Sequence, residues 1–256
     1  TFAKSLGILL AGFMLWFGTS YEVLRNDSFN AWLVLALLTL ISLTLGLQVF
    51  RPERLNVHLI GSWVRSKKSL IWACELLFLM GFVFWTIVRA HDPAVDHTEQ
   101  PMDLMFMNGV WTSPNYPAHD PWLSGYAISY YYFGYWLLTA LGRLTLQPPE
   151  ISYNIGQACW FGLLLLGTFG LGYNLLATGK CQDSHNLPFK PSSVIFVGKN
   201  ATAIVGGFLT SLMVVLASNF HGAWVFFQNW KEPRHWWWWP SRRVIQDTDI
   251  SGSSVE

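Results

Sequence analysis

The sequence has few charged residues and little cysteine. Only 12% of its 256 residues are charged, whereas an average soluble domain has roughly 25%. Its three cysteines form no disulfide framework, and no Cys/His cluster has the spacing of a zinc site. No stripe of lysine and arginine of the kind that binds nucleic acid is present either. We therefore expect neither a disulfide scaffold, nor a structural zinc site, nor nucleic acid as a partner.

The sequence also lacks the short motifs of several large enzyme classes. It contains no P-loop, no G-x-G-x-x-G, no G-x-S-x-G and no H-E-x-x-H. Nucleotide hydrolysis, dinucleotide chemistry and zinc proteolysis therefore gain no support. No histidine lies in the middle of an apolar run, which weighs against a haem-binding role.

Long apolar runs dominate what the sequence does contain. Residues 31–50 read AWLVLALLTLISLTLGLQVF and carry no charge, and at about 1.5 Å per residue such a helix crosses a hydrocarbon core of roughly 30 Å. Comparable runs cover residues 6–21, 69–88, 151–177 and 201–224. We predict an all-α integral membrane protein with five or six transmembrane helices and external juxtamembrane or re-entrant helices. The lipid bilayer is its main expected partner.

The charged residues between the runs predict the orientation. Residues 51–68 carry five basic residues among apolar ones, which is typical of a helix lying on the headgroups of the cytoplasmic side. Residues 90–128 carry five acids and no lysine or arginine, so we expect them outside. The three lysines of residues 178–199 again indicate the cytoplasm. These assignments agree if the aromatic-rich segment 127–146 lies on the outer side without crossing, which gives five crossings; if it crosses, the lysines lie outside.

From this pattern we divide the chain into two parts. Residues 1–68 form a two-span segment that ends in the basic cytoplasmic loop, and residues 69–256 form the remaining membrane domain. The expected location is a cell membrane, with the acidic segment external.

The acidic segment after the third apolar run carries the strongest polar signal. Pro101 suits the start of a short helix, which places Asp103 in the first turn and Glu99 just before it. Together with Asp96 and Asp120, these carboxylates can hold a divalent cation such as Mg²⁺ or Mn²⁺, or one of them can act as a general base. Alternatively, Asp103 only complements the helix N-terminus, and the others are solvated loop or turn residues.

An aromatic cluster follows at the start of segment 127–146. Its sequence SYYYFGYW contains Tyr130, Tyr131, Tyr132 and Trp136. Such a cluster either forms an aromatic belt at the headgroup level or offers a stacking surface for a sugar or a lipid headgroup.

Three further charged residues stand out. Arg242 and Arg243 follow the run WWWW, and they either bind a lipid-linked phosphate bidentately or extend from the membrane interface into water. Glu75 lies within the third apolar run, where an ionisable group indicates either a function, such as ion-coupled transport, or a hydrogen bond to a neighbouring helix.

Three blocks of the sequence, in combination, are specific to one family. TEQPMDLMFMNGV, DPWLSGYAISYYYFGYW and WWWWPSRRVI occur in this order within about residues 70–250. They resemble the multi-pass membrane proteins of Chloroflexi and archaea known as the YYY-domain family, although Gln100 and Leu104 replace a typical Lys and Phe. Members of that family normally continue past the last block, so the resemblance implies that this sequence is C-terminally incomplete.

The YYY-domain family in turn is similar to the membrane glycosyltransferases of the C-type fold, which use polyprenyl-phosphate sugars. Those enzymes place an acidic residue in the first large external loop, which corresponds to Glu99 and Asp103 here. The resemblance implies a bacterial or archaeal cell membrane, with sugar transfer from a polyprenyl-phosphate lipid at its outer face. It places Arg242 and Arg243 on the donor phosphate and the consecutive tyrosines along the sugar. The alternatives are an accessory subunit that packs against other membrane subunits, and a transporter that uses Glu75.

Overall fold

The computed structural model of the protein describes residues 1–50, 57–96, 99–178 and 199–217. Within these ranges the regular structure is entirely helical, so the predicted all-α membrane fold is confirmed. The helices are α1 (Ala3–Ser20), α2 (Ser28–Phe50), α3 (Val57–His91), α4 (Gln100–Thr112), α5 (Phe133–Thr145), α6 (Pro149–Thr178) and α7 (Lys199–Ala217).

Four helices in the described ranges are long and apolar enough to cross a membrane. They are α1, the Ser28–Gly46 part of α2, the Val64–His91 part of α3 and the Pro149–Ala177 part of α6. Helix α7 contributes a shorter apolar stretch, Ala201–Val215. These helices coincide with the five apolar runs of the sequence, and the end of the last run, residues 218–224, lies outside the described residues.

Helix α3 is continuous where the sequence analysis predicted two elements. We expected a surface helix over residues 51–68 and a separate span over 69–88, but one helix of 35 residues runs from Val57 to His91. The junction at residues 66–69 reads Ser-Lys-Lys-Ser. It contains no proline or glycine, so nothing there interrupts the backbone hydrogen bonds. The basic residues Arg65, Lys67 and Lys68 therefore belong to the same helix as the predicted span. Residues 51–56 lie outside the described part.

Helix α5 lies at one end of the helical bundle. Its 13 residues measure about 20 Å, too short for a hydrocarbon core of roughly 30 Å. Phe133 at its start contacts Trp16 near the end of α1, with ring centroids 6.2 Å apart. Arg143 near its end donates a hydrogen bond to the backbone oxygen of Trp111, beside the loop that joins α1 to α2. The non-crossing interpretation of segment 127–146 stays a prediction.

Close contact between α5 and α1 anchors this end of the bundle. The Trp136 side chain is 1% exposed, and its indole N–H donates to the backbone oxygen of Gly12 over 2.8 Å. A Cβ at Gly12 would collide with the side chain of Leu137, so glycine is what allows the two helices to approach. The indole ring also meets the ring of Tyr116 edge-on, with centroids 5.3 Å apart.

The chain divides into two compact units, Thr1–Gly170 and Leu171–Glu256. In the second unit, the last part of α6 packs closely against α7 at Gly172. A Cβ atom added to this glycine would lie 3.1 Å from the backbone oxygen of Gly206. The candidate sites described below belong to the first unit.

Candidate functional site

Helix α4 presents Asp103 to the interior of the protein. The helix begins at Gln100, with Pro101 and Asp103 in its first turn, as the sequence predicted. Asp103 lies four and seven residues before Met107 and Val110, which are both 0% exposed. Residues at these spacings share one face of a helix. The carboxylate therefore points inward with the buried face of α4, although Asp103 itself is only half-buried.

Two tyrosines from other helices donate hydrogen bonds to this carboxylate. The hydroxyl of Tyr135 on α5 donates to Oδ1 of Asp103 at 2.5 Å, and that of Tyr153 on α6 donates to Oδ2 at 3.1 Å. A carboxylate has about four acceptor positions, so each oxygen keeps one for a further partner. The two phenols fix the orientation of the carboxylate without neutralising its charge.

The pKa of the Tyr135 phenol is raised above its ordinary value. Burial is the main cause, and the hydrogen bond to the Asp103 carboxylate adds to it. A negative phenolate next to a carboxylate is unfavourable, and partial burial disfavours it further. The Tyr135 hydroxyl therefore keeps its proton at neutral pH and remains a donor. Nearby, the hydrogen bond with Tyr131 is the main cause that raises the pKa of Tyr130 to about 12.

A cavity of about 690 Å³ opens in front of Asp103, within the range of roughly 300–1,000 Å³ that small-molecule sites occupy. Its walls are aromatic, with one carboxylate and two carboxamides. The lining residues come from α4, from the start of α5 with the residues before it, and from α6: Gln100, Asp103, Tyr131, Tyr132, Phe133, Gly134, Tyr135, Leu138, Tyr153, Gln157 and Trp160. We call this space the Asp103 cavity.

The tyrosines that the sequence analysis singled out occupy different places. Tyr131, which is 72% exposed, and Tyr132 both line the Asp103 cavity. Tyr130 stacks on Phe106 of α4, with ring centroids 5.0 Å apart. The assignment of Trp136 to a ligand-binding surface is corrected, because its ring is buried in the core and its N–H is bonded to α1.

The other predicted acids lie outside the walls of the cavity. Glu99 is exposed immediately before α4. Oδ1 of Asp120 accepts hydrogen bonds from the amides of Trp122 and Leu123, at 2.8 and 3.0 Å, which is the turn role named above as an alternative. Asp96 is exposed. Among the residues that the structure describes, no three His, Cys, Asp or Glu side chains group as a metal site, and the Mg²⁺ or Mn²⁺ hypothesis stays a prediction.

A positive charge stands beside the cavity on α3. Nε and Nη2 of Arg89 both donate to Oδ1 of Asn154, at 2.9 and 2.5 Å, and Nη2 also donates to the backbone oxygen of Ala94 at 3.2 Å. Asn154 directly follows Tyr153, which lines the cavity. The predicted phosphate ligands Arg242 and Arg243 lie outside the described residues.

Glu75 makes an interhelical ion pair. Both of its carboxylate oxygens accept from Nζ of Lys4 on α1, each over 2.8 Å. The contact with a neighbouring helix that the sequence left open is therefore present, as an ion pair.

A family model described as "Uncharacterized membrane protein (DUF2298)" matches residues 10–250. The chain belongs to the DUF2298 membrane protein family. The match covers all the residues of the Asp103 cavity and residues 69–250 of the predicted membrane domain. Together with the four candidate spans, family membership shows a multi-pass membrane protein. No curated protein and no solved structure matches the chain significantly.

In this DUF2298 protein, the sequence analysis missed most of the residues that line the cavity, including Tyr135, Tyr153, Gln157 and Trp160. Tyr135 was seen only as part of an aromatic run. Tyr153, Gln157 and Trp160 were absorbed into an apolar span. Their spacing of four and three residues puts them on one face of α6, so an aromatic and polar stripe on an otherwise apolar helix was the available signal.

Proposed function

We propose that the Asp103 cavity binds a sugar carried by a polyprenyl-phosphate lipid and transfers it to an acceptor hydroxyl. The observation that carries this proposal is the charged carboxylate of Asp103, oriented by two neutral tyrosines inside an aromatic cavity. A sugar ring offers C–H groups to aromatic faces and hydroxyls to polar groups, and Tyr131 and Trp160 provide the aromatic faces. The resemblance to the YYY-domain family and to C-type glycosyltransferases supports the same reaction.

In this reaction Asp103 acts as the general base. Its carboxylate takes the proton of the acceptor hydroxyl while the acceptor oxygen attacks the anomeric carbon. The bond from that carbon to the phosphate oxygen breaks, and its electron pair leaves with the lipid phosphate. Tyr135 and Tyr153 occupy one acceptor position on each carboxylate oxygen, which directs the remaining positions toward the substrate. A well-placed base contributes on the order of 10²–10⁴ in rate.

The donor phosphate requires a cation that the cavity walls do not supply. Among the residues that the structure describes, the side chains lining the Asp103 cavity include one carboxylate and no lysine or arginine. Arg89, held by Asn154 beside the cavity, is a candidate partner for the phosphate, because a guanidinium suits bidentate phosphate contacts. Arg242 and Arg243 keep the same proposed role. We place the reaction at the outer face, with a divalent cation on Asp103 or Glu99 as the alternative role for these carboxylates.

Label transfer tests the role of Asp103. The purified protein in proteoliposomes is given polyprenyl-phosphate-linked ¹⁴C-hexoses and a mixed pool of acceptor alcohols, and label in the acceptors is measured. Asp103→Asn keeps the size and polarity of the side chain but removes its basicity. We expect transfer by this variant to be at least about 100-fold slower than by the wild type.

The matched control is Glu150→Gln, which removes the same charge from the exposed first turn of α6. Its transfer rate should equal that of the wild type. Equal rates for Asp103→Asn and the wild type, with both proteins folded, would exclude the general-base role. Transfer by the wild type that EDTA abolishes and Mn²⁺ restores would favour the metal role instead.

A further inference from the structure

A second polar pocket lies between the α1–α2 loop and the end of α4. It has a volume of about 190 Å³ and is lined by Arg25, Asn26, Asp27, Arg143 and residues 111–114. It shares no residue with the Asp103 cavity. We propose that this pocket, which we call the Arg143 pocket, binds a phosphate group.

The first argument is the incomplete bonding of Arg143. Its guanidinium carbon lies 3.7 Å from the centroid of the Trp111 ring, and Nη2 donates to the backbone oxygen of the same residue. Nε is buried and has no hydrogen-bond partner in the described part of the chain. Arg143 as a whole is half-buried, and a partly buried charge with so few partners is costly. An anion in the adjacent pocket would supply the missing acceptors.

Burial is also the main cause that lowers the pKa of Arg143, and the charge of Asp27 works in the opposite direction. A free guanidinium has a pKa above 12, so the group remains charged at neutral pH. The pocket therefore contains a cation that is disfavoured by its surroundings, which an added negative charge would stabilise.

The second argument is the charge balance of the pocket. The lining residues include two arginines and one aspartate, so the lining carries one net positive charge. Oδ1 of Asp27 already accepts from the backbone and side-chain nitrogens of Asn30, at 2.8 and 3.0 Å. Within the described residues, no hydrogen bond or ion pair engages the guanidinium of Arg25, which is exposed at the pocket. Arg25 is thus available to a ligand.

The remaining polar side chains are engaged with the backbone. Nδ2 of Asn26 donates to the oxygens of Val110 and Ser113, at 2.6 and 3.1 Å. The hydroxyls of Thr112 and Ser113 donate to backbone oxygens of α4. The two arginines are therefore the donors left for a ligand, and a guanidinium pairs well with the oxygens of a phosphate.

The position of the pocket suggests two sources for the phosphate. The pocket lies where α1 ends and α2 begins, and both helices are candidate spans. Their ends reach the headgroup region of a bilayer. A phospholipid headgroup and a free phosphate ion both present the same chemistry there.

Binding measurements on the whole protein in a neutral detergent test this proposal. Inorganic phosphate is titrated by calorimetry, and phosphatidylglycerol binding is followed by native mass spectrometry. We expect at least one of these probes to bind. Arg25→Gln should weaken that binding by at least about tenfold, because a charge-assisted hydrogen bond is lost. Arg143→Lys keeps the charge but loses the planar fork, and it should weaken the binding as well.

The matched control is Arg65→Gln. It removes an exposed guanidinium near the start of α3, which does not line the pocket, and should leave the binding unchanged. Binding of phosphatidylglycerol alone supports a lipid headgroup as the source, and binding of both probes supports a phosphate-type anion in general. Because Arg25 is exposed, Arg25→Gln should fold even if Arg143→Lys does not. Binding of neither probe by the wild type, or equal binding by Arg25→Gln, would overturn the proposal.

Discussion

Asp103 and Glu75 are two acids on helices of a membrane protein, and their partners differ. Glu75 is paired with Lys4 through both carboxylate oxygens, so its charge is compensated by an opposite charge on another helix. Asp103 receives two hydrogen bonds from neutral tyrosines and keeps its net charge. The first arrangement joins two helices, whereas the second holds a charged carboxylate ready for a further partner.

The surroundings of the two acids separate a structural role from a catalytic one. In the sequence both residues looked exceptional, Glu75 because it interrupts a span and Asp103 because it begins a helix in an acidic segment. The structure adds a cavity in front of Asp103 and a cation in front of Glu75. A charged group that faces space, rather than an opposite charge, is the better candidate for chemistry.

Breaking the ion pair should have the largest effect on stability. Lys4→Met leaves Glu75 unpaired on a candidate span, where a lone charge costs roughly 3 kcal/mol. We expect the free energy of unfolding in detergent to fall by about that amount. The double variant Lys4→Met/Glu75→Leu should recover most of the loss, since no charge then remains unpaired.

Asp103→Asn is the matched comparison for this experiment. It removes a charge from the cavity and weakens two charge-assisted hydrogen bonds, so its loss of unfolding free energy should be roughly 1–2 kcal/mol, less than that of Lys4→Met. If the double variant at positions 4 and 75 is as unstable as Lys4→Met alone, the ion pair does not account for the presence of Glu75 in the span.

Removing one tyrosine hydroxyl should have a smaller effect. Tyr135→Phe deletes one of the two donors that orient Asp103, and a hydrogen bond to a charged group is worth roughly 2 kcal/mol. We expect sugar transfer to fall at least about tenfold, with the unfolding free energy lower by roughly 1–2 kcal/mol at pH 7. The stability difference from the wild type is measured by denaturant unfolding at several pH values.

The pH dependence of that difference has a definite sign. Burial and the Asp103 carboxylate raise the pKa of Tyr135 above its ordinary value of 10, so below pH 10 the phenol is protonated in both the folded and the unfolded protein. The stability that it contributes is then constant between about pH 7 and 9. Above about pH 10 the unfolded chain loses the proton first, and the contribution decreases. A difference that grows as the pH rises from 7 to 10 would contradict the raised pKa, because the folded protein would then lose the proton before the unfolded chain.

Local features of this fold could be predicted from the sequence. The spans follow from uninterrupted apolar runs, and the start of α4 follows from Pro101 and the position of Asp103 in the first turn. Both signals act over a few neighbouring residues. The continuity of α3 was missed because its basic residues resembled a surface helix, although the helix has no break at residues 66–69.

The assembly of the cavity could not be predicted in the same way. Tyr135 and Tyr153 lie 32 and 50 residues from Asp103 along the chain, and only the packing of three helices brings them together. Trp136 follows Tyr135 directly but points into the core, because consecutive residues of a helix face different directions. An aromatic run therefore indicates the region of a site without showing which rings reach a ligand.

Photo-crosslinking tests the central claim, that the Asp103 cavity holds the sugar of a lipid-linked donor, most directly. A polyprenyl-phosphate sugar with a diazirine on the sugar is irradiated with the protein in proteoliposomes, and the modified peptides are sequenced. The account predicts crosslinks to Tyr131 and Trp160, which both line the cavity, and competition by the unmodified donor. Crosslinks confined to the lipid-facing side chains of α2, with these two residues unmodified, would contradict it.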